Sequence, residues 1–460
     1  MKLPNGPQYP SFIQTMQFIL DPLSILEKAA KRYGDIFTLR LKSPVVFISN
    51  PQALQQILTN DTKDFSAPSE GNKPFEPLMG KNSVIMASGK AHRRQRKLLM
   101  PSFHGDKVRS YVEVINQVTS EVMSSWEVGK NFDIRDGMQA ITMRIIMQAV
   151  FGIYEGERAI ELEKLLSSML EAGGSSPLKA AFLIFPVLQK DLGEKSYWGK
   201  FLREKQRVYQ ILNDEIEERR ANPSDSRTDV LSMLMAARDE QGEAMSNMEL
   251  SDELITLLTA GHETTATALA WAFYWIHKSP QVREKLLEEL DSLDDNPDFS
   301  TINKLPYLNA VCNETLRIYP VAILQFQRKV ETPVLLGGHD LEPGTLLYGS
   351  VYLTHQREDL YPEPKKFKPE RFLERQFSPY EFIPFGAGTR RCIGAALAQC
   401  EMKLILTKIL KNLELELIDN SELKPKRRGL VTGPNRPIQM VVKVRSCAEA
   451  PKILKAQAQL

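Results

Sequence analysis

The sequence predicts a mainly α protein with small β-sheets, an α+β chain, on two observations. Long helical apolar patterns fill the middle of the chain, and short strand patterns broken by glycine and proline sit near both ends, without regular βα alternation. With 460 residues, 42% hydrophobic and 25% charged, there is ample material for a large buried core. Near the start, Asp35 to Asn50 reads as two short strands about a Lys42 to Pro44 turn, and Pro51 opens a helix. Helical patterns then occupy most of Val108 to Ala236, with a loop predicted at Gly173 to Pro177 (GGSSP). Val330 to Tyr348 is strand-rich, and Pro437 to Val444 supplies a last strand. No fixed-period repeat or low-complexity tract is visible, so solenoid and linker readings lose support, and because the motifs spread across the whole chain it is read as one domain, 1–460.

A formal net charge of +2 excludes a nucleic-acid binder on bulk electrostatics. Cys312, Cys392, Cys400 and Cys447 form no paired framework, which suits a reducing cytoplasm. The N-terminus has no signal-peptide core and no apolar run of the roughly 20 residues a transmembrane anchor needs. The run Ala180 to Leu188 (AAFLIFPVL) is too short to span; it reads as a core segment or loop, or as a peripheral membrane contact.

Chemistry concentrates in a few segments. Phe385 to Gly394 (FGAGTRRCIG) precedes a helical pattern in which Met402, Ile405, Leu406, Ile409 and Leu410 share a face. Cys392 therefore sits at a helix N-terminus, where the dipole and unpaired N–H groups favour thiolate, while Gly386, Gly388 and Gly394 let backbone approach a flat cofactor. Ser246 and Glu249 form a capping-box pattern before Leu254 to Ile276, an apolar stretch interrupted by His262 and Glu263 and ending before Pro280. The polar centre Ala260 to Thr265 (AGHETT) would be costly in a membrane, so a helix buried in protein fits. An acid followed by an alcohol, Glu263 and Thr264, can relay protons into a dry pocket, although threonine in a helix commonly bonds back to the preceding turn. Glu314 and Arg317, three apart, can pair on one helix face.

These motifs resemble the cytochrome P-450 superfamily of haem-thiolate monooxygenases: Phe385, Gly386, Gly388, Arg390, Cys392 and Gly394 fill the spacing of its haem-binding loop, and AGHETT is similar to its oxygen-binding groove. The resemblance covers about residues 3 to 445 and implies a triangular, mostly helical fold around a buried haem b. It implies Cys392 as the metal ligand, Phe385 beside the sulfur, and Thr264 and Glu263, next to Ala260, in oxygen activation. Glu314, Arg317 and Arg371 (in PERF) correspond to a structural triad. His92 and Arg96, within Ala91 to Phe103, correspond to haem-propionate partners with Arg390 and Arg328; His92 stands where many members carry tryptophan.

The resemblance further points to the soluble bacterial branch that oxidises fatty acids, alkanes or terpenes, acting as a monomer. Ala260, Val321, Ala322, Ile323, Leu324 and Phe326 would line an apolar substrate pocket together with Val84, Ile85 and Met86, while Arg40 or Lys42 reads either as an anchor for a substrate carboxylate or as a solvated charge on an early strand. Electrons and O2 would be used together, with a ferredoxin or flavodoxin fed by an NAD(P)H-dependent reductase. Arg93, Arg94, Lys97, Arg391, Lys403 and Lys408 are candidates for a basic docking face. Two rival functions are a peroxide-isomerising or dehydrating haem-thiolate enzyme, against which an intact Glu263–Thr264 pair argues, and a haem-based sensor or carrier without turnover.

Overall fold

The computed structural model describes residues 3–174, 182, 188–224, 227–294, 297–429 and 431–445. The predicted loop at Gly173 to Pro177 lies outside these beyond Gly174, and so does most of the Ala180 to Leu188 run.

The two N-terminal strands form where the alternation places them, Ile36–Arg40 against Pro44–Ile48, antiparallel with Leu39 opposite Val45. Both are buried on both faces, and Phe37 stacks on Phe47. The sheet is completed by segments far away in sequence. Leu346–Gly349 pairs in parallel with Pro44–Ile48, then Arg328–Val330 and Phe65–Ser66 follow antiparallel. This pairing carries Arg328 from the edge of the apolar Val321 to Phe326 segment into the interior. Pro51 opens Pro51–Thr59, with the Asn50 side chain capping Ala53 N–H at 2.9 Å.

The central element is the helix Asn247–Lys278, 32 residues and so about 48 Å long. Ser246 and Glu249 form the predicted capping box at its start, and Pro280 begins the next helix rather than prolonging this one. It packs on Ile134–Ile146, Pro306–Ile318 and Ala395–Asn412, so an almost wholly buried helix is covered by others.

The Val108 to Ala236 region is more broken than its periodicity suggests. Asn131–Asp133 is a strand paired with Gln439–Val441, Asp133 caps the next helix, and Gly152 at φ +64° ends the turn that follows it. The strand-rich stretch holds a hairpin, Val334–Leu336 with His339–Leu341, turned by Gly337 and Gly338 at positive φ. The last predicted strand is Gln439–Arg445, in a sheet with Leu413–Leu417. Among the described residues no helix is long and apolar enough to cross a membrane.

Candidate active site

The loop before Ala395–Asn412 is shaped by its own backbone. Gly386 N–H donates to Ile383 O at 3.0 Å and Cys392 N–H to Phe385 O at 2.8 Å, with Gly386 and Gly388 at φ +66° and +70°. Gly388 departs from its expected role. A Cβ there would strike the Asp61 carboxylate, which accepts from Thr389 N–H at 2.8 Å, so its missing side chain admits Asp61 and not a flat cofactor. Gly394 has nothing within 4 Å of where a Cβ would stand, which leaves that face open.

Cys392 is open to water, yet burial is the largest influence on its thiol and pushes it up. The Gly394 N–H, Arg96 and Arg391 favour thiolate as expected, but burial outweighs them; a cation bound at sulfur is what would secure the anion.

On the central helix, Leu257, Ala260, Gly261 and Thr264 share one face and are the residues that remain partly or fully accessible between Leu254 and Ala270, together with Glu263. Thr264 Oγ1 donates back to Ala260 O at 2.5 Å, as an isolated helical threonine would, leaving its oxygen lone pairs to accept. Glu263 is turned toward Ile134–Ile146, where Arg135 pairs with Oε1 and Gln139 Nε2 donates to Oε2 at 2.9 Å. The adjacent acid and alcohol thus point apart, and Arg135 and Gln139 are residues that sequence reasoning missed. His262 is buried against Thr142 Oγ1 at 2.8 Å and kept neutral by burial, down to about 4. Glu401, also missed, is pushed up to about 8 by burial and bonds Thr265.

His92, Arg96, Arg328 and Arg390 are brought together. Burial comes first in lowering His92 to about 3, followed by the charges of Arg390, Arg96 and Arg328. Burial likewise lowers Arg390 to about 10, with Arg328 and Arg96 adding to it. Among the described residues the carboxylate acting on this group is Asp61, bonded by Arg328 Nη2 at 3.2 Å, while the buried Arg328 Nε has no partner among them. Three guanidiniums against one carboxylate leave a surplus of two positive charges. A buried surplus of that size fits a ligand carrying two carboxylates, which is what haem presents at its propionate edge. A hollow of about 560 Å³ lined by His92, Arg96, Met100, His104 and Thr389 opens beside the cluster.

Arg390 also donates to Val84 O at 2.9 Å and to Ala87 O at 2.5 Å. Asn72 Nδ2 donates to Ile85 O at 2.7 Å, and Asp252 accepts from Asn82 N–H at 2.9 Å, so the Asn82 to Ala87 backbone is held at several points. Ala322 to Phe326 is partly accessible, with Ile323 and Leu324 leaning on the N-terminal sheet cluster. Val321 departs from the pocket role, since it lies in the main core and its carbonyl accepts from Thr432 N–H.

Glu314, Arg317 and Arg371 form a buried network. Glu314 accepts from Arg317 at 2.6 and 2.9 Å, from Arg371 Nε at 3.2 Å and from Lys368 N–H at 2.9 Å. The basic docking face is thinner than the sequence suggests: Arg94 pairs with Asp239 and Glu249, Lys97 with Glu240, and Lys403 is buried against Asn303. Arg93 and Arg391 stay exposed, as do Arg40 and Lys42 at the strand turn.

A family model described as cytochrome P450 matches residues 4–442. Cytochrome P450 135B1 of Mycobacterium tuberculosis is 32% identical over 463 residues, covering 100% of this chain and 95% of the relative, and cytochrome P450 138 of the same organism is 31% identical over 451 residues, 97% of each. The solved structure of a cyanobacterial CYP120A1 with retinoic acid bound superposes with a TM-score of 0.82 at 25% identity, covering 97% of this chain and all of that one. Fold and family together define a haem-thiolate monooxygenase. The chain belongs to the cytochrome P450 family.

Proposed function

We propose that this cytochrome P450 inserts one oxygen atom from O2 into an apolar substrate, a long-chain fatty acid, alkane or terpene, with electrons from a ferredoxin or flavodoxin and its NAD(P)H-dependent reductase. The observation that carries the reading is Cys392, open to water within desolvated surroundings and under the charge of Arg96, one of the three guanidiniums gathered around His92. Haem bound there supplies the oxygen chemistry, its thiolate ligand favouring O–O cleavage. In this proposal Cys392 is that ligand, and Arg96, Arg328 and Arg390 with His92 meet the propionates. Thr264 accepts a hydrogen bond in the groove while its own proton is held by Ala260 O, and passes a proton on when it releases that carbonyl and takes another, supplied by Glu263 after leaving Arg135.

Apolar, partly accessible side chains of Ile85 and Met86 and of Ala322 to Leu324 with Phe326 favour an apolar ligand, whereas Val84 is packed into the main core. The retinoic acid in the superposed structure is an isoprenoid carboxylic acid, which supports the terpene and fatty-acid reading. Free thiols at Cys312, Cys392 and Cys400 accord with the cytoplasm.

The test is the absorption spectrum of the reduced protein under carbon monoxide, followed by titration of the ferric form with fatty acids, alkanes and terpenes. A thiolate-type band and a low-to-high-spin shift are expected. Absence of haem, or a histidine-type band, overturns the reading; in Cys392→His the thiolate band should vanish.

A further inference from the structure

We infer that His355 is a positioning residue, which couples the buried Glu314–Arg317–Arg371 network to the Cys392 loop by accepting a hydrogen bond at Nε2 from the Ile383 amide. The inference rests on the haem-thiolate reading of that loop. It follows from an unbroken sequence of bonds. Glu314 grips Arg317, and Arg317 Nη1 donates to the His355 carbonyl at 2.8 Å. His355 Nε2 accepts from Ile383 N–H at 3.0 Å. Ile383 O accepts from Gly386 N–H at 3.0 Å, and Phe385 O from Cys392 N–H at 2.8 Å. Glu314, Arg317 and His355 are 0% exposed and Ile383 is 1% exposed, so water cannot stand in for any of these groups.

The imidazole is oriented for this one bond. It lies stacked on Phe382 at 5.5 Å and edge-on to Tyr361, whose hydroxyl donates to Glu381 O at 3.1 Å, close to the same turn. An imidazole accepting at Nε2 carries its proton on Nδ1, and His355 Nδ1 is buried without a partner among the described residues. A ring kept for packing alone would not leave a buried polar atom unsatisfied, since a phenyl ring fills such a space with none. Burial and the Arg317 charge hold the imidazole neutral, down to about 3, so Nε2 stays an acceptor at any working pH. Fixing the Ile383 peptide plane sets the direction in which the chain enters the Gly386 turn, and through it the placement of Cys392.

The experiment compares holoenzymes of wild type, His355→Phe and His355→Gln. Phenylalanine keeps the ring and loses the acceptor, whereas the glutamine amide oxygen reaches the position of Nε2. Three readouts are taken on each: the thiolate-type band of the carbon monoxide complex over time, the spread of the ferric low-spin electron resonance, and the far-ultraviolet melting curve. The expected result is loss of the thiolate band about tenfold faster in His355→Phe, with a broadened resonance, at temperatures below the melting of secondary structure. His355→Gln should restore both spectroscopic readouts.

The inference is overturned if band and secondary structure are lost together in His355→Phe, or if His355→Gln behaves like it. Should His355→Phe fail to fold, His355→Asn against His355→Gln gives the same contrast, because asparagine is too short to reach Ile383. A wild type without a thiolate band would sink the haem-thiolate reading itself. A normal wild-type band with indistinguishable variants sinks only the role of His355.

Discussion

Replacing Arg96 with glutamine tests whether the cationic cluster exists to hold a dianionic cofactor edge. Arg96 is half-buried, spends one N–H on Arg391 O at 2.7 Å, and adds its charge to those of Arg328 and Arg390. The substitution lowers the surplus from two charges to one. Hydrogen bonds to charged groups contribute about 1.5–3 kcal/mol, which corresponds to haem loss accelerated roughly tenfold to a hundredfold. The rate is read by mixing the holoprotein with an excess of a haem-scavenging apoglobin. The apoprotein should behave oppositely: burial and the neighbouring Arg391 weigh on the Arg96 charge, so its removal leaves the apoprotein melting temperature unchanged or raised. An unchanged haem-loss rate, or equal destabilisation of both forms, refutes the argument.

Glu314→Gln leaves Arg317 and Arg371 charged and buried without their acid, a loss of about 3–5 kcal/mol and roughly 5 °C in melting temperature; an unshifted melting curve would contradict it. Glu263→Gln preserves the volume facing Arg135 and Gln139 but has no acidic proton to transfer, so turnover should fall about a hundredfold with the spin shift on substrate binding intact. Thr264→Ala should divert electrons into peroxide, measured as peroxide formed per NAD(P)H consumed; unchanged coupling would place the proton path elsewhere. His262 and His355 are held down to about 4 and about 3, whereas unfolded imidazole takes its proton near 6.5. Their support for folding is therefore complete above that value and is lost progressively as pH falls toward the folded values, about 2 kcal/mol each by pH 5. Calorimetry showing a flat melting temperature from pH 7.5 to about 5 would refute this sign.

What the sequence made legible was local. The capping box, the Cys392 loop and the accessible face of the central helix all lie within a few turns, where spacing alone decides which side chains meet. Partners supplied by another element were not legible. Arg135 meets Glu263 across 128 residues of chain, and nothing around Arg135 marks it beyond an ordinary helix cap. The docking face was overread for the same reason, because Asp239 and Glu240 neutralise Arg94 and Lys97 from 145 and 143 residues away. Asn131–Asp133 is too short to show a period, and only its partner strand near the C-terminus makes it one.

The anchoring of Asn82 to Ala87 bears on how substrate range can diversify in this enzyme. Because Asn72, Asp252 and Arg390 hold this segment without bonding the side chains of Ile85 and Met86, these two partly accessible side chains can be exchanged without losing a grip, whereas Val84 is committed to the main core. A one-residue insertion or deletion would instead misalign every grip, including the one from the arginine two residues before Cys392. Evolvability here is therefore asymmetric, open to substitution and closed to changes of length, with altered length registering at the haem before it registers in the choice of substrate.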